Sequence, residues 1–248
     1  QDHTRVYKDF TFVYPVISRR SGGLSIGINL NPDKVCNFDC IYCEVDRRVP
    51  GKVTNVDLNQ MRDELTALIR FARDGGLAME EKFDELPPFI SRNIKDIAFS
   101  GDGEPTMLHN FDECARVVAD VKRAEGLEKT KIVLITDAAG LDTGAVRRGL
   151  EIMDSNNGEV WGKLDAGTEG YYKLINRTTV RFDRVLRNLL ETARARPIVI
   201  QSLFLKVDDQ VMPADVLEAY SDRFEEIVRA GGQIREVHLY TVARPTPV

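Results

Sequence analysis

Histidine is nearly missing from this chain, with three in 248 residues, His3, His109 and His238. No two lie near each other in sequence, so a metal centre built from imidazoles has too little to work with. Cysteine is scarce as well, at four. That number, with three of the four clustered, argues against a disulfide scaffold and for free thiols in a reducing compartment, the cytoplasm by default. No apolar run approaches the ~18–20 residues that a membrane helix needs. No basic n-region followed by an apolar h-region opens the chain, so no secretion signal is expected, and the start at Gln1 suggests a trimmed terminus. A basic excess is lacking too: 34 Lys and Arg stand against 39 Asp and Glu, a net charge of −5. That removes the global footprint of a duplex-binding protein and leaves room only for a local basic patch toward RNA.

What is present is concentrated in residues 36–47, CNFDCIYCEVDR. Cys36, Cys40 and Cys43 have the spacing C-x3-C-x2-C. Thiolates are soft ligands that select zinc, Cu(I) or iron–sulfur clusters. A closed zinc site wants four ligands, and so does a fully ligated [4Fe–4S] cluster. This loop offers three, so a [4Fe–4S] cluster here would keep one iron open to something other than protein. The competing reading is a three-cysteine zinc site completed by a distant ligand.

Around that loop the chain alternates between two hydrophobic periods. Strands are predicted at 24–29, 94–99, 131–137, 159–165, 197–205 and 236–242. Helices are predicted at 57–73, 111–125, 145–153, 182–195 and 213–230, with a further helical face in TEGYYKLINR. A polar stretch up to Arg92 with Pro87-Pro88 reads as an excursion. Six βα units with short connections imply an α/β fold, a parallel sheet with helices outside it. A full barrel needs eight strands, so a partial (βα)6 barrel is expected. The cysteine loop directly follows the first of these strands, on the side where such sheets bind ligands. We expect one domain over 1–248: an N-terminal extension at 1–23, the partial barrel at 24–242 and a short tail at 243–248.

C-x3-C-x2-C with an aromatic, Tyr42, just before the last cysteine resembles the signature of radical S-adenosylmethionine (SAM) enzymes. The stretches GINLNPDKVCNFDCIYC, SGDGEPT, KLDAG, INR and VHLYTVARP are similar to small stand-alone members grouped with the wyosine-forming tRNA enzymes. That resemblance covers residues 25–245 and implies a three-quarter (βα)6 barrel. It also implies one [4Fe–4S] cluster on Cys36, Cys40 and Cys43, SAM chelated to the open iron, and reductive cleavage to a 5′-deoxyadenosyl radical that abstracts hydrogen. A flavodoxin- or ferredoxin-like protein would supply the electron. Wyosine synthases carry further upstream cysteines and a basic tRNA surface, and this chain has neither, so a small molecule, a nucleoside or a peptide is open as substrate. Glycyl-radical activases are a second one-cluster group, less similar outside the loop. A zinc-binding scaffold is the non-enzyme alternative.

Under the same resemblance, Gly101, Asp102, Gly103 and Glu104 correspond to the segment that holds the SAM amino group, Gly103 and Glu104 matching best. Glycines there let backbone carbonyls approach a ligand, although Gly-Asp-Gly also marks a plain turn. Alternation puts Lys163 and Asp165 on one face of their strand, with Val160, Gly162 and Leu164 toward the helices. Asp165 suits ribose hydroxyls and Lys163 a SAM or substrate carboxylate; a structural ion pair is the equal alternative. Gln201, Thr136 and Tyr240 are further candidate SAM contacts, Tyr240 for stacking on adenine. Asn176, Arg177 and Arg244 with Lys163 would give an acidic substrate a cationic pocket, Lys163 and Arg177 being the catalytic candidates. Surface placement is expected for His109, and a buried, inert thiol for Cys114.

Overall fold

The computed structural model describes Arg5, residues 7–18, 20–51, 53–83 and 87–242, and Thr246. Seven strands follow one another in chain order in a mostly parallel, unclosed sheet with helices between them, an α/β partial barrel. The chain divides into two compact units. The first comprises Gln1–Val35, Gly51–Leu134 and Gly144–Glu159; the second comprises Cys36–Pro50, Ile135–Thr143 and Val160–Val248.

The first unit begins with a strand inside the N-terminal extension, β1 (Val13–Ser18), antiparallel to β2 (Gly23–Ile28). The extension therefore adds an antiparallel strand to the six expected parallel ones. Its mixed aromatic and basic residues mask the alternation that marks a strand elsewhere. β2 pairs in parallel with β3 (Ile94–Phe99), and β3 with β4 (Lys131–Thr136). Helix α1 (Leu58–Arg73) starts where Asp57 accepts hydrogen bonds from the Asn59 and Gln60 amides. It buries Met61, Leu65, Leu68 and Ile69 completely, each contributing roughly 1.5–3 kcal/mol. Its last-turn Arg70 and Arg73 clasp Glu125 at 2.8 and 2.7 Å, just beyond α3 (Phe111–Ala124). The proline-containing excursion forms a short helix, α2 (Pro88–Arg92). Helix α4 (Gly144–Asp154) completes the unit; a side chain at Gly149 would run into the Phe111 ring of α3.

Glu64 of α1 explains how the extension is held. Its carboxylate accepts from the Thr11, Phe12 and Val13 amides at 2.8, 2.8 and 3.1 Å and from Gln60 Nε2 at 2.8 Å. Glu64→Ala orphans three backbone donors where β1 begins. It should lower unfolding free energy in urea by about 3 kcal/mol, with Glu64→Gln losing less because one oxygen still accepts.

The second unit holds β5 (Gly158–Lys163) from Val160 onward, with β6 (Ile198–Leu203) and β7 (Ile234–Tyr240) parallel to it. Helices α5 (Glu169–Asn176), α6 (Phe182–Ala195) and α7 (Ala214–Arg229) accompany them. A side chain at Gly162 would meet Leu189 of α6, so the even-numbered face of β5 is the helix face, as its apolar residues predict.

Candidate iron–sulfur and SAM site

The cysteine loop, Cys36–Pro50, lies in the second unit, and α5 is what it rests on. The last four carbonyls of a helix have no intrahelical partner. Here the Ile41 amide donates to the Ile175 carbonyl at 2.9 Å and the Asp39 amide to the Asn176 carbonyl at 3.1 Å. Thr178 Oγ1 donates to the Asn37 carbonyl at 2.7 Å, and Phe38 packs edge-on against Tyr172. The helix ends at Arg177, which takes the left-handed conformation with φ 43°. The loop thus satisfies a helix terminus and is fixed by it.

All four cysteines are free thiols. Each of the three in the loop is met by an N–H donor. Asn176 Nδ2 lies 3.4 Å from Cys40 Sγ, Arg47 Nη1 2.7 Å from Cys43 Sγ, and the Phe38 amide 3.5 Å from Cys36 Sγ. Burial pushes the Cys40 thiol up, against the opposing pull of Lys163, Asn176 and Tyr42. Three soft sulfurs, each with its own N–H donor, are the kind of donor set that an iron–sulfur group takes.

Behind the loop lies a buried polar knot centred on Asp165. Tyr42 donates its hydroxyl to Asp165 Oδ2, which also accepts from Asn176 Nδ2 at 3.0 Å; Oδ1 accepts from the Leu203 amide at 2.9 Å. Lys163 Nζ stands 3.7 Å from Asp165, donates to the Tyr240 hydroxyl at 2.9 Å, and lies over the Tyr42 ring at 4.4 Å. Burial opposes the Lys163 charge, but Asp165, Tyr240 and Cys40 outweigh it and its pKa is raised. Burial, with Asp165 beside it, holds the Tyr42 phenol well above its ordinary value. A cavity of about 10 Å³ borders Lys163, Asp165, Asn176 and Phe38, room for no more than about one water. Asp165 lies just past the end of β5, and both its oxygens are spent on protein donors, a positioning role that leaves little for ribose. Asn176 joins Cys40, Tyr42 and Asp165, a link that no local pattern in the sequence announces. Arg47 is the other residue whose part was not foreseen, although it sits four residues after Cys43, close enough to return to it.

The remaining expectations fall elsewhere. Arg177 is half exposed, 3.7 Å from Asp39, not among the residues of the knot. Arg244 lies outside the described residues. Thr136 Oγ1 accepts from the Ala138 amide in the turn after β4. Gln201 is buried on β6, and its Nε2 has no partner among the described residues. His109 is exposed. Cys114 is fully buried, and desolvation pushes its thiol up to about 12.

The Gly101–Glu104 segment belongs to the first unit. A side chain at Gly101 would collide with Asn29, and one at Gly103 with the Val35 carbonyl and Asn31. These glycines are therefore already required by close packing on the residues after β2. Asp102 is clamped by Arg5 at 2.8 Å and Asn29 at 2.7 Å. Buried Glu104 accepts from the Thr106 amide and hydroxyl at 3.0 and 2.5 Å, while its own amide donates to the Val35 carbonyl. Beside Gly103, the buried Asn31 Oδ1 has no hydrogen-bond partner among the described residues, an acceptor suited to an ammonium group.

No family model matches the chain. A protein named GTPase Obg from Brachyspira hyodysenteriae is 28% identical over 184 residues, 73% of this chain and 23% of that protein. UPF0026 protein MJ1312 from Methanocaldococcus jannaschii is 28% identical over 71% of this chain and 46% of its own length. The chain thus spans less than half the length of either. Among solved structures, TYW1 with a lysine-pyruvate adduct bound superposes with TM-score 0.58 at 16% identity, over 89% of this chain and 65% of that one. Streptococcus suis SuiB bound to S-adenosylmethionine gives 0.57 at 14% identity, over 92% and 44%. A radical SAM methyltransferase from Sphaerobacter thermophilus gives 0.52 at 14% identity, over 92% and 69%. The fold is the one radical SAM enzymes have. Among the described residues no helix is long and apolar enough to cross a membrane.

Proposed function

We propose that this chain is a radical SAM enzyme whose single [4Fe–4S] cluster is held by Cys36, Cys40 and Cys43. The observation that carries the proposal is the loop itself: three free thiols, each facing an N–H donor, on a segment locked to the end of α5. Such a cluster, when bound, supplies the electron that cleaves SAM to methionine and a 5′-deoxyadenosyl radical, which takes hydrogen from the substrate. The chain's own residues prepare that event. Arg47 and Asn176 offset the negative charge on the sulfurs. Asp165 fixes Tyr42 and Asn176, and with Tyr240 it holds the Lys163 charge in place behind the loop. Within the first unit, Asn31 Oδ1 beside Gly103 and Glu104 is an acceptor for an ammonium group. The cytoplasm is the compartment that would keep these thiols reduced, with a flavodoxin- or ferredoxin-like protein as electron donor.

The proposal is tested on protein reconstituted anaerobically with iron and sulfide. It should hold about four of each per chain, and with dithionite and SAM it should release 5′-deoxyadenosine. Protein that keeps zinc and no sulfide, or a loaded protein that leaves SAM intact, would overturn it.

A further inference from the structure

Register lines up three polar residues across the strands of the second unit, on the face turned away from α6. Lys163 of β5 pairs with Gln201 of β6, which pairs with His238 of β7. The row below is Trp161, Val199 and Glu236, and Leu203 and Tyr240 stand above. The His238 ring meets Trp161 edge to face at 5.0 Å. Gln201 is 1% exposed, yet its Nε2 has no partner among the described residues, and neither does His238 Nδ1. A buried amide that leaves a hydrogen bond unmade is destabilising, so two adjacent orphans on one row point to something that satisfies both.

The chemistry of that something follows from the neighbours. His238 Nε2 lies 2.9 Å from Glu236 Oε2. A carboxylate only accepts, so Nε2 carries a proton, and in the neutral tautomer Nδ1 then presents a lone pair. Gln201 Nε2 presents N–H groups beside it. The Lys163 charge already has Asp165 opposite it at 3.7 Å, so the row asks for no further anion. A carboxylate would set its oxygen against the His238 lone pair; an ammonium would set its protons against those of Gln201. An edge with a carbonyl next to an N–H meets both groups. A trans peptide link points its C=O and N–H in opposite directions and does not fit.

We propose that Gln201 and His238, flanked by Lys163, form a recognition site for a neutral cis-amide edge on the substrate. The carbonyl accepts from Gln201 Nε2, and the N–H donates to His238 Nδ1. A nucleobase lactam and a primary carboxamide share this edge. The site rests on the enzyme reading above for there being a substrate, and the test needs neither cluster nor SAM, so its failure would leave the cluster proposal where it stands.

The test uses the full chain labelled with ¹⁵N-histidine, with His238→Phe to assign the His238 signals among three histidines. Uridine and 3-methyluridine, and nicotinamide and N,N-dimethylnicotinamide, are titrated in parallel. A saturable shift of the His238 Nδ1 signal is expected with uridine, nicotinamide or both, and not with the methylated partner. Uridine alone identifies a nucleobase and nicotinamide alone a carboxamide. Gln201→Met, checked for folding by near-ultraviolet circular dichroism, should weaken that binding roughly fivefold. The proposal is overturned if neither parent compound moves His238, if the methylated compounds move it equally, or if folded Gln201→Met binds as tightly as wild type.

Discussion

Cys40→Ala should abolish 5′-deoxyadenosine release from reconstituted protein, by more than about a hundredfold, beyond the roughly 10- to 100-fold that loss of an outer-sphere partner costs a metal site. Of the three loop cysteines, Cys40 is the buried one, and Asn176 joins it to Asp165. With two sulfurs left, the proposed cluster has too few anchors, and iron and sulfide content should fall with activity. Arg47→Met is the informative contrast. It removes the donor 2.7 Å from Cys43 Sγ but no ligand, so it should slow the reaction within that 10- to 100-fold range while iron stays bound. Equal deoxyadenosine from wild type and Cys40→Ala would end the case for these thiolates.

Asp165→Ala should destabilise the chain by about 3–5 kcal/mol, the usual cost of removing one partner from a buried ion pair. Its side chain is 1% exposed, against 18% for Lys163. The substitution strands a cation, the Tyr42 hydroxyl, an Asn176 N–H and the Leu203 amide together. The loss should show as a lower urea midpoint in cluster-free protein, which separates it from any effect of metal. Asp165→Asn should cost less, since one oxygen still accepts, although its NH₂ then faces another donor. An Asp165→Ala variant within about 1 kcal/mol of wild type would mean that the knot is not what secures the cysteine loop.

Much of the scaffold was legible because its signals are local. The β3 and α6 bounds follow from apolar spacing flanked by turn residues, and the C-x3-C-x2-C spacing needs no fold to be seen. How β1 pairs was not legible, because Glu64, more than fifty residues away, collects the amides that lead into it. Asp165 shows the other limit. Sequence placed it near Lys163 on one face, but whether its oxygens meet ribose or protein depends on Tyr42, Asn176 and Leu203, drawn from three other segments. Gly101 and Gly103 read as ligand-approach glycines, yet packing against Asn29 and Val35 is by itself enough to require them.

The most direct measurement is the electron paramagnetic resonance spectrum of the dithionite-reduced, reconstituted protein before and after SAM. If three sulfurs leave one iron free for SAM, adding it should shift the g-values of the cluster signal saturably. A spectrum that saturating SAM leaves unchanged would contradict that coordination.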